Sequence, residues 1–160
     1  PDIAVENSDA SWFFIPSESR TIGARWPYCT SVLCDGDPPI LRTMTRNEVE
    51  VSLWTAALAG GAFFLSDDLR NLDEERSEWI TPSMFQTALA GTPSFPYPAV
   101  PDALPDGLAS QLFDHTAGEN RHQVPWRWSL PDGRVLYLNV SDDSVVDGSR
   151  TIAPRSAALR

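Results

Sequence analysis

Ala62-Phe63-Phe64-Leu65-Ser66-Asp67-Asp68-Leu69 is a short apolar run that ends in two carboxylates. It follows a helix-like stretch over residues 47–59 and a Gly60-Gly61 break. A run that is apolar on both faces fits a parallel strand covered on both sides. The same order occurs once before. A helix-like stretch over residues 17–28 leads to Ser31-Val32-Leu33-Cys34, and then to Asp35-Gly36-Asp37-Pro38. Two helix–strand units in succession, each ending in acids, predict an α/β fold: the last strands and helices of a (β/α)8 barrel. In such barrels the C-terminal strand ends carry the chemistry, so acids at these positions are candidates for catalysis or sugar binding.

The flanking signals agree with this order. Trp12-Phe13-Phe14-Ile15 forms an apolar cluster that ends at Pro16, with Ser17 as a cap for the helix that follows. Thr45-Arg46-Asn47-Glu48 reads as a capping box, followed by a wide apolar face with Trp54 in the core. Gly60-Gly61 ends that helix. Residues 71–80 read as a short polar helix. Thr81-Pro82 opens another, which Gly91 closes.

Composition changes after residue 91. Five prolines fall within residues 92–107, which predicts a linker or an extended crossing over a surface. Beyond it the period becomes alternating. Residues 126–130 and 134–140 flank Pro131-Asp132-Gly133, a hairpin signal. Shorter strands are expected near residues 144–146 and 150–153. The predicted organisation is thus a barrel part over 1–91, a linker over 92–107, and a small antiparallel, β-sandwich-like domain over 108–160.

A net charge of −10, with arginine as the only strong base, argues against nucleic acid, since no basic stripe can pair with phosphates. The absence of lysine removes Schiff-base and P-loop chemistry. Cys29 and Cys34 lack a zinc or redox spacing and read as buried free thiols. With His115 and His122 as the only histidines, no His/Cys metal cluster can form, and no metal or cofactor is expected. No apolar run approaches the roughly 18 residues of a membrane span. Asn139-Val140-Ser141 matches a glycosylation pattern but lies inside a predicted strand and is read as chance. The length of 160 residues falls short of the about 250 of a complete barrel. With Pro1 first, the chain is read as a piece of something longer or as one that has lost its initiator Met.

Leu33-Cys34-Asp35-Gly36-Asp37-Pro38-Pro39-Ile40-Leu41-Arg42 resembles the Asn-Asp-Pro-Asp motif of α-galactosidase-type glycoside hydrolases, found after their seventh barrel strand. The following Val51 to Gly61 segment and Phe64-Leu65-Ser66-Asp67-Asp68-Leu69 look like the last helix and eighth strand of that family. Pro1-Asp2-Ile3, with Ser11-Trp12 beyond, resembles the stretch after strand six, which carries the general acid/base aspartate. The resemblance covers about residues 1–80; the hairpin region resembles the family's C-terminal β domain in type. Cys34 and Gly36 depart from the motif's Asn and first Pro.

The resemblance implies a retaining glycosidase acting on an α-galactoside or related α-linked sugar. Such an enzyme holds two carboxyl groups about 5–5.5 Å apart, one as nucleophile and one as acid/base. Asp2 would be the acid/base. Asp37 would accept from two adjacent sugar hydroxyls. Asp35 would support that loop, and Trp12 joins them as a substrate-binding candidate. Asp67 and Asp68 would cap or support, with Arg42 either pairing one of these acids or lying on the surface as a plain arginine. The family's nucleophile lies on strand four, upstream of this sequence, so the missing N-terminal part of the barrel is an expected partner. Two further readings remain open. One is a carbohydrate-binding protein that does not cleave, with Trp126, Trp128 and Tyr137 either stacking on sugar or packing across the hairpin. The other is a degenerate relative that keeps the fold without catalysis.

Overall fold

The computed structural model describes residues 12–29, 40–60, 64–89, 96–98, 125–130 and 132–160. The elements are helices α1 (Ile15–Cys29), α2 (Arg46–Leu58), α3 (Glu74–Glu78) and α4 (Pro82–Leu89), and strands β1 (Pro96–Pro98), β2 (Trp126–Ser129), β3 (Val135–Asn139), β4 (Val145–Asp147), β5 (Arg150–Ile152) and β6 (Ser156–Leu159). Helices thus precede small antiparallel sheets.

The helix α2 starts where its sequence says it should. Thr45 Oγ1 accepts from the Glu48 amide at 3.5 Å, and Glu48 Oε2 accepts from the Thr45 amide at 2.9 Å. The box satisfies two amides that the first turn would leave bare. Gly60 follows the helix with φ +71°, a left-handed conformation that costs a side chain and suits glycine. Asp73 caps α3 by accepting from the Arg76 amide. Pro82 is the first residue of α4, where its missing N–H has no bond to lose.

Two local expectations are corrected. Helix α1 begins at Ile15, so Pro16 and Ser17 lie inside its first turn and Ser17 is not the cap. A proline there is tolerated because first-turn amides have no intrahelical partner. The second correction concerns the predicted strand over residues 62–65. Phe64 and Leu65 have no regular structure, and Phe64 is 55 % exposed. A parallel strand needs a neighbour to bond, and none among the described residues lies beside it. The other predicted parallel strand, 31–34, and Gly91 lie outside the described residues, as does Cys34.

The hairpin forms in the register that alternation implies. Trp126 faces Leu138, Arg127 faces Tyr137, Trp128 faces Leu136 and Ser129 faces Val135. Gly133 makes the turn with φ +85°. The sheet order is β1-β2-β3-β6, all antiparallel, with β4 and β5 as a separate two-stranded ribbon. Strand β1 is drawn from the Pro-rich segment and sits at the sheet edge, where prolines omit no ladder bond that the edge requires.

Trp126, Trp128, Leu136, Leu138 and Val140 alternate toward the helices and join Ile15, Ile22, Val49, Leu53, Trp54 and Leu58 in one core. Gly23 of α1 lies against Trp126 so closely that a Cβ there would meet the indole at 2.7 Å. The opposite sheet face carries Arg127, Tyr137 and Asn139, which meet the ribbon through polar contacts. The Tyr137 hydroxyl donates to Asp147 at 2.6 Å. Asn139 Nδ2 donates to the Asp143 and Ala153 carbonyls, each at 2.8 Å. With that nitrogen so engaged and Asn139 buried, the glycosylation pattern is not open in the folded chain.

Candidate functional site

Asp67 lies in the loop after α2, and its side chain is 2 % exposed. A carboxylate this covered needs hydrogen-bond and charge partners in place of water. Oδ2 accepts from the Leu41 amide at 2.6 Å, and Oδ1 from the Arg42 amide at 3.4 Å and the Arg42 guanidinium at 3.2 Å. The carboxylate thus takes two consecutive backbone N–H groups and one cation. Of the two readings of Arg42, ion-pair partner or surface residue, the structure shows both: it pairs with Asp67 while its side chain stays largely exposed. The sequence suggested a supporting part for Asp67 but did not identify what it supports.

Arg76 of α3 works from the other side. Its Nη1 donates to the Leu41 carbonyl and to the Met44 carbonyl, the latter at 3.1 Å. The guanidinium also pairs with Asp73 at 3.3 Å and lies 4.9 Å from the Trp79 ring centroid. The peptide unit joining Leu41 to Arg42 therefore has its carbonyl on Arg76 and its N–H on Asp67. Sequence reasoning missed Arg76. Its local signal is the spacing of three from the Asp73 cap, which explains the ion pair and not the contact with Leu41.

Asp68 points to solvent. Its Oδ1 accepts from the Arg70 amide at 3.1 Å and Nε at 2.9 Å; its Oδ2 accepts from Arg70 Nη2 at 2.8 Å and Asn71 Nδ2 at 3.0 Å. The Arg70 side chain, and then its amide, hold the Asp68 carboxyl below the ordinary aspartate range. This is a turn-forming arrangement that closes the loop after Asp67.

Asp2, Asp35 and Asp37 lie outside the described residues. Trp12 is buried in the core, 4 % exposed, with the Arg155 guanidinium 5.5 Å from its ring centroid. That face of the indole is taken by the cation. Arg155 also reaches Glu48 at 2.8 Å and Asp142 at 2.7 Å, tying the start of β6 to the first turn of α2. Trp126, Trp128 and Tyr137 are buried, so they pack across the hairpin and offer no stacking platform.

Among the described residues no helix is long and apolar enough to cross a membrane. No family model, curated protein or solved structure matches the chain.

Proposed function

We propose that this chain is the C-terminal part of a retaining glycoside hydrolase acting on α-galactosides or related α-linked sugars. The reading starts from the motif resemblance at Asp35-Gly36-Asp37-Pro38 and Ser66-Asp67-Asp68. The observation that carries it is the bond from Asp67 to the Leu41 and Arg42 amides. It sets the second motif's loop beside the chain that leaves the first. Neighbouring loops at consecutive strand ends are what a barrel site is built from.

In this reading Asp2 protonates the leaving oxygen and later activates water. The nucleophilic carboxylate comes from upstream of Pro1 and forms the glycosyl-enzyme intermediate. Asp37 accepts from two adjacent sugar hydroxyls, and Asp35 supports its loop. The test is hydrolysis of aryl α-galactosides by the full-length protein, with the product anomer followed by NMR. Retention of configuration is the expected result. Asp2→Asn is expected to lower kcat/KM by roughly 10²–10⁴-fold for a poor leaving group, and less for one that needs no protonation. Galactose binding without turnover would instead mark a carbohydrate-binding protein, and inversion would exclude the two-step route.

A further inference from the structure

No further inference is drawn: the strongest candidate, the side-chain cluster of Arg127, Tyr137, Asp147 and Arg150 between the sheet and the β4–β5 ribbon, directs its charges and its hydroxyl at one another and so ties the ribbon to the sheet, and nothing in it points to a ligand.

Discussion

Arg155 adopts φ +44°, a left-handed backbone that a non-glycine residue pays for with about 1–2 kcal/mol. Its side chain offsets this through Glu48, Asp142 and the face of Trp12. The Glu48 side chain is almost fully covered, so removing its cation leaves a charge that water cannot reach. Arg155→Ala is expected to destabilise the protein by about 3 kcal/mol. A double-mutant cycle with Glu48→Gln, read by denaturant unfolding, is expected to show coupling of about 1–3 kcal/mol. Additive losses would mean that the pair does not act as one. Asp68 gives a prediction of a different kind. Its depressed folded value means that the stability it lends is present above about pH 4 and is lost as pH falls through that lower value. Because the group is exposed, the readout is its own titration. Carboxyl NMR should show Asp68 titrating below the ordinary aspartate range, and Arg70→Ala should move it up toward that range, the backbone amide of residue 70 still holding part of the shift.

At the scale of elements, the capping box makes α2 the best-determined start in the chain. Thr45→Ala is expected to cost about 1 kcal/mol in thermal or denaturant unfolding. Gly23 sets the approach of α1 to the sheet. Gly23→Ala would drive a methyl into Trp126 and is expected to cost about 1–3 kcal/mol, against the small gain that alanine brings to an open helix. The same local chemistry explains what the sequence disclosed. Thr45/Glu48, Pro82 and Pro131-Asp132-Gly133 act through bonds to near neighbours, so α2, α4 and the β2–β3 hairpin were legible. Strand β6 was not. Ser156-Ala157-Ala158-Leu159 has little intrinsic strand preference and is held by pairing with β3. Residues 64–65 fail in the opposite sense: their composition suits a strand, but pairing is what makes one.

At the scale of the molecule, the described helices and sheet share a core, with Trp126 and Trp128 in the same cluster as residues of α1 and α2. The two acidic motifs were visible in the sequence as residues. Their link was not, because Asp67 to Leu41 and Arg76 to Leu41 join positions far apart in the chain, and no local spacing encodes them. The central claim is that a nucleophilic carboxylate upstream of Pro1 works with Asp2 on an α-galactoside. It is tested most directly by treating the full-length protein with a fluorinated α-galactosyl fluoride that traps the covalent intermediate, then mapping the label by peptide mass spectrometry. The account predicts a single galactosyl ester on an aspartate in a peptide upstream of Pro1. A label within residues 1–160, or steady turnover of an α-galactoside with no trapped ester, would contradict it.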